Sequence, residues 1–280
     1  MSAHVSVRDY LYEEPGPKTR RAIRIGTAIS LVLVAALLAL IIRRFYLAGQ
    51  LDAKYWYFFA RWTTWRFLGQ GLIGTFRVAL SAGAIAIVLG LALMLMRISD
   101  YAPLRVIARV VTEFFRGVPS LLLIYFFFLV VPRMGVKLSA FWMMTIPVSL
   151  AAAAVLAEVF RAGMNAVPKG QTEAALSIGM RPFAVKMKIV FPQAIKIVIP
   201  SLISQLVVVV KDTTVAYVVS FPDMLQNARI LISNYDALVS VYFVVAIIYI
   251  IINYAVNQLA IYVSRRSGAK IVTQTNIEPV

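Results

Sequence analysis

Apolar positions run in long unbroken blocks along this chain, with neither the two-residue alternation of strands nor the one-sided stripe of a soluble helix. Residues 25–42 carry no charge, and neither do residues 78–96. Each block is long enough to cross the ~30 Å hydrocarbon layer of a bilayer as a helix. The second block belongs to a span at about 70–96, and further blocks at about 110–131, 139–159, 193–218 and 238–263 bring the expected number of spans to six. Arg116-Gly117-Val118-Pro119 must break or kink the third of them near its start, because proline cannot donate to the helix ladder. The fold class is therefore all-α, a polytopic membrane helix bundle.

Between these blocks the chain changes character. Residues 1–22 are polar and read as a short tail. Residues 51–67 mix Tyr55, Trp56, Tyr57, Phe58, Phe59, Trp62, Trp65 and Phe67 with Lys54, Arg61 and Arg66, a composition suited to an interfacial helix in the headgroup layer. The first span is not a cleaved signal, since its apolar run is too long and Arg43-Arg44 follows where small residues would stand.

Composition agrees with the pattern: 61% of the 280 residues are hydrophobic and 14% charged. The net charge of +16 would suit a nucleic-acid partner in a soluble protein, so its distribution matters. With an even number of spans and both termini inside, 18 of the 28 lysines and arginines fall in inner segments, counting Arg116 and Lys196 near the inner ends of their spans, and 8 in outer ones, with Arg77 and Lys211 inside spans. That is the positive-inside bias, although five of the outer charges follow the first span and weaken it. Topology thus accounts for the basic charge, and no nucleic acid is needed. Cysteine is absent and the only histidine is His4 in the tail. Thiol chemistry, disulfides and cysteine-based metal sites are excluded, no acidic cluster has metal-ligand spacing, and no serine or threonine has a histidine partner. Neither a catalytic residue nor a bound cofactor is expected.

The longest inner loop lies between spans four and five and reads Pro168-Lys169-Gly170-Gln171-Thr172-Glu173-Ala174-Ala175-Leu176-Ser177-Ile178-Gly179-Met180-Arg181-Pro182. It predicts a short exposed helix capped by Thr172, with Glu173 at the positive end of the dipole. Gly179 is placed to leave that helix at positive φ and Pro182 to prevent its resumption. A rigid, small-residue helix of this kind suits docking better than catalysis.

Glu173-Ala174-Ala175, three residues, Gly179, nine residues, then Ile189-Val190-Phe191-Pro192 resembles the signature of ABC importer permeases, E-A-A, three residues, G, nine residues, I-x-L-P, with Phe191 in place of leucine. Three more stretches resemble permeases for polar amino acids. They are Glu113-Phe114-Phe115-Arg116-Gly117-Val118-Pro119, Glu158 to Gly163 together with Ala166 to Gln171, and Lys211-Asp212-Thr213-Thr214.

The resemblance covers roughly residues 67–263. It implies a five-helix type-1 permease domain there, preceded by a cytoplasmic tail (1–24) and an added helix with its extracellular interfacial segment (25–66), and followed by a second cytoplasmic tail (264–280). It implies a cell-membrane importer subunit that works with two ATP-binding subunits, a second permease subunit, identical or related, and an extracellular solute-binding protein. The cargo would be a polar amino acid, with glutamate the leading choice from general likeness. Glu173, Ala174, Ala175, Gly179 and Pro192 would couple to the ATPase. No phosphate loop is present, so ATP would be bound by the partners.

Polar residues inside spans are expensive and mark candidate pathway positions: Arg77, Ser201, Gln205, Lys211, Asp212 and Thr213. Lys211 and Asp212 cannot face each other on a regular helix, so either the helix breaks there or each has its own partner. The alternative function is an ion-gradient-driven secondary transporter, which would lack the E-A-A spacing and show internal repeats. No convincing repeat is present.

Overall fold

The computed structural model describes residues 16–266, with side chains through residue 263. His4, most of the N-terminal tail and the C-terminal tail beyond residue 266 lie outside the described residues. The chain divides into two units, one ending at Tyr57 and one beginning at Phe58.

The first unit is dominated by helix α1, Pro17–Leu47, none of whose residues is buried. It starts inside the expected tail. Pro17 at the first position is pre-set for a helix, and lysine, arginine and alanine extend it cheaply. A 3-10 turn, Ala53–Tyr55, follows.

The regular elements among the described residues of the second unit are all helical, and its α-helices are α2 (Trp62–Arg97), α3 (Ala102–Gly117), α4 (Ser120–Leu129), α5 (Ala140–Ala166), α6 (Lys169–Ser177), α7 (Pro182–Val185), α8 (Phe191–Asp212), α9 (Met224–Tyr235) and α10 (Leu238–Arg266). Including α1, five helical segments are long and apolar enough to cross a membrane, and α3 with α4 makes a sixth if that bent pair is one span. The expected kinked span at 110–131 is in fact this pair, bent by 94°. Val118 is extended ahead of Pro119, as the residue before proline must be, and the ladder is severed there. The aromatic segment is not an interfacial helix either. It forms 3-10 turns, Phe58 is fully buried against the Tyr235 ring at 4.3 Å, and Trp62 onward already belongs to α2.

The centre of this unit is the packing of α2 on α5. Ala79, Ala82 and Ala86 of α2 meet Ala152 and Ala153 of α5, with Val198 and Val209 of α8 closing the third side. Lipid tails are as apolar as leucine, so helices associate here through close van der Waals contact between small residues. Gly90 shows how close: a Cβ there would stand 2.9 Å from Leu156 Cβ.

Candidate functional site

The loop helix α6 starts earlier than the sequence suggests. Its N-cap is Pro168, without a side-chain cap bond, so Thr172 lies inside the helix instead of capping it, and Glu173 lies past the first turn instead of at the positive end of the dipole. Proline pre-sets the entry, and the first turn of Lys, Gly and Gln needs no hydroxyl cap to form. The exit is as read: Gly179 has φ +83°, its N–H donates to Leu176 O, and the Met180 N–H donates to Ala175 O at 3.2 Å. Only Ala175 is buried, against Val167, Val185, Val190 and Ala194. Glu173, Ala174, Leu176, Ile178 and Phe183 are exposed.

The base of this loop is braced. A π-helical turn, Lys186–Val190, precedes Pro192, which has no N–H for the carbonyl four residues back; the widened turn takes up the ring. Lys186 Nζ donates to Ile98 O at 3.1 Å and pairs with Asp100 at 3.4 Å, tying the loop's return to the α2–α3 corner. Just above, Glu158 of α5 gathers guanidinium groups from three helices. Arg97 of α2 donates to Oε1, Arg161 reaches Oε2 at 2.8 Å, and Arg116 at the end of α3 stands 4.0 Å from Oε1. The expected Glu158–Arg161 pair is therefore part of a larger hub, which fixes the 94° corner to the bundle core.

Further along the bundle a cavity of about 310 Å³ lies between α2, α5 and α8. Its lining is apolar, including Leu80, Ile87, Leu156, Leu202 and Leu206, except for Gln205. Arg77 lies on the same α2 face, three residues before Leu80, exposed and 5.8 Å from the Phe141 ring centroid. Ser201 and Lys211 are exposed, Asp212 is half-buried, and Thr213 is fully buried with its hydroxyl on Val210 O. The α-helix ends at Asp212 and a 3-10 turn, Thr213–Val219, follows, so the Lys211-Asp212 pair does mark a break. Of the six pathway candidates, only Gln205 lines this cavity.

A polar node at the opposite end of α2 was not read from the sequence. Asp223 caps α9 by accepting from the Gln226 N–H at 2.7 Å, the Met224 N–H donates to Thr75 Oγ1 at 3.2 Å, and Asn227 Nδ2 donates to Phe67 O at 2.7 Å. The available signal was Asp223-Met-Leu-Gln226, an acid three residues before glutamine at a helix start. Asp223 is fully buried and its second carboxylate oxygen has no partner among the described residues. Burial raises its pKa to about 6, against the lowering effect of three backbone N–H groups. Because the folded-state pKa lies above the unfolded value, the fold gains stability below about pH 4 that is lost as pH rises through about 6. The loss is about 3 kcal/mol for two pH units. Asp223→Asn keeps the cap and is expected to raise the melting midpoint at pH 7.5 and to flatten its dependence between pH 4 and 6.

Residues 82–268 match the family described as the binding-protein-dependent transport system inner membrane component, and the chain belongs to that family. The resemblance carried by the E-A-A loop is thus borne out. Among particular relatives, the glutamate transport system permease protein GluD of Corynebacterium glutamicum is 33% identical over 79% of this chain and 82% of its own. The probable glutamine ABC transporter permease protein GlnM of Bacillus subtilis is 34% identical over 70% of this chain and 91% of its own. A crystal structure of an amino acid ABC transporter with histidines superposes with a TM-score of 0.71 at 29% identity, covering 75% of this chain and 98% of that one.

Proposed function

We propose that this chain is the permease subunit of an ATP-driven importer of a polar amino acid, with glutamate the leading substrate. Two ATP-binding subunits would drive it, a second permease subunit would complete the pathway, and an extracellular solute-binding protein would deliver the cargo. The observation that carries the reading is α6, a short helix fixed at its base and exposed at Glu173 and Leu176, with Ile178 exposed at its C-cap, as a docking element must be. Its movement would reach the spans through Lys186 and the Glu158 hub. The glutamate, glutamine and arginine permeases among the relatives support a polar amino acid. Arg77, with no carboxylate partner among the described residues, supports an anionic one.

The test is assembly with the ATPase and binding protein in vesicles. ATP-dependent glutamate accumulation is the expected result, with no nucleotide binding by the permease chain alone. Uptake that follows an ion gradient and ignores ATP would support the secondary-transporter alternative.

The same reading puts both termini and α6 in the cytoplasm, with residues 43–66 and 220–236 outside. Because the chain has no cysteine, single cysteines report this directly. A cysteine at Leu176 is expected to resist an impermeant maleimide added to intact cells, and one at Asp52 to react.

A further inference from the structure

Helix α3 has three faces. Ala108 and Thr112 are buried against the bundle. Arg105, Arg109, Glu113 and Arg116 fall within about 80° of arc on a second side, at 100° per residue. Val106, Ile107, Val110 and Phe114 form a third side, centred about 120° around the helix from the charges, and are 57%, 52%, 62% and 57% exposed. The helix has 16 residues, about 24 Å of length, and the chain turns by 94° before entering the uncharged segment Leu121–Leu129. It therefore runs across the direction of α4. Tyr101, at its start, is 64% exposed, as suits an aromatic ring at a membrane–water boundary.

The arginines are not equivalent. Arg116 is engaged by Glu113 and Glu158, and Arg105 donates to the carbonyls of Ser99 and Asp100. Arg109 has no hydrogen bond or ion pair among the described residues. A helix with a cationic side and an exposed apolar side lies in the plane of an anionic membrane surface, acyl chains against one side and phosphates against the other.

We infer that α3 is a binding surface for anionic lipid in the leaflet on the side of α6. Arg109, with Arg105 one turn before it, holds the headgroup phosphate, and Val110 and Phe114 sit among the acyl chains. This surface is carried by one chain and does not depend on the substrate or on the energy source proposed above.

The test uses the full chain, reconstituted in vesicles of phosphatidylcholine with about a third phosphatidylglycerol. Spin labels on single cysteines at Val110 and Phe114 are expected to be open to oxygen and closed to a water-soluble nickel chelate, and a label at Arg109 the reverse. Co-purified phosphatidylglycerol is expected to be enriched over phosphatidylcholine around the wild type. The enrichment should fall about fivefold for each of Arg105→Gln and Arg109→Gln, and excess inorganic phosphate should not change it. Nickel access at Val110 and Phe114, unchanged enrichment in the double variant, or efficient cross-linking between two copies through a cysteine at Val110 would each overturn the inference. The last result would make this face a permease–permease interface. Lipid retention and label accessibility are read without transport, so a failed uptake assay bears only on the proposed function.

Discussion

Gly179→Leu is expected to abolish amino-acid uptake while leaving membrane insertion and abundance near wild type. The left-handed conformation at φ +83° costs a residue with a Cβ about 1–2 kcal/mol. No atom lies within 4 Å of the added Cβ, so the penalty is conformational and not a clash with the bundle. The cheapest relief is to change the backbone at Gly179, which re-aims α6 and its exposed face. Glu173→Lys tests the same surface by charge. Glu173 is the fifth of the nine residues of α6, past the first turn where the helix dipole acts, so the substitution reverses the sign of an exposed side chain on the proposed docking face. The measurements are membrane abundance, co-purification of the ATPase and uptake of labelled glutamate. Normal uptake at normal abundance in both variants would show that α6 is not the coupling element.

Gly74→Val is expected to be the most destabilising of the substitutions considered. A Cβ at Gly74 would stand 2.3 Å from the Pro222 carbonyl oxygen, which is backbone and cannot swing aside. Relief requires the Phe221–Asn227 segment to lift from α2. That would break the Met224–Thr75 and Asn227–Phe67 hydrogen bonds and leave Thr75 and Asn227 to desolvated surroundings. Overpacking of this kind costs about 1–3 kcal/mol, and each lost hydrogen bond about 1 kcal/mol more, giving about 3–5 kcal/mol. Gly69→Val on the same helix is the control, because nothing lies within 4 Å of its Cβ. Melting midpoints in detergent are expected to fall sharply for Gly74→Val and to stay near wild type for Gly69→Val. Equal midpoints would mean that α9 is not held against α2 as described.

The two substitutions act through different causes, so together they separate the proposed coupling from assembly. Gly179 is conformationally special but sterically free. Gly74 has ordinary helical geometry but no room.

The chain's spans and its loop motif were legible in the sequence because their causes are local. A long apolar run must cross the bilayer or be hidden, and α2, α5 and α10 contain the runs expected, while the run at 193–218 continues past the end of α8 at Asp212 into the 3-10 turn. Glycine at a helix end followed by proline dictates its own geometry, and Gly179 has the expected positive φ. Placement was a different matter. That Arg97, Arg116 and Arg161 converge on Glu158 depends on how α2, α3 and α5 cross, which no spacing within one helix reveals. The pairing of Glu158 with Arg161 was visible only because both lie on α5. The break at Val118-Pro119 was evident, but its 94° angle was not, since proline ends a ladder without choosing the new direction. The Thr75–Asp223–Asn227 node likewise joins residues about 150 positions apart through a close approach that Gly71 and Gly74 permit. Hydropathy and helix signals therefore determined the long helices and the Gly179 exit of the α6 loop by themselves. Only the packing of helices in three dimensions decided which polar side chains would meet, because a buried charge takes its partner from whichever helix crosses beside it.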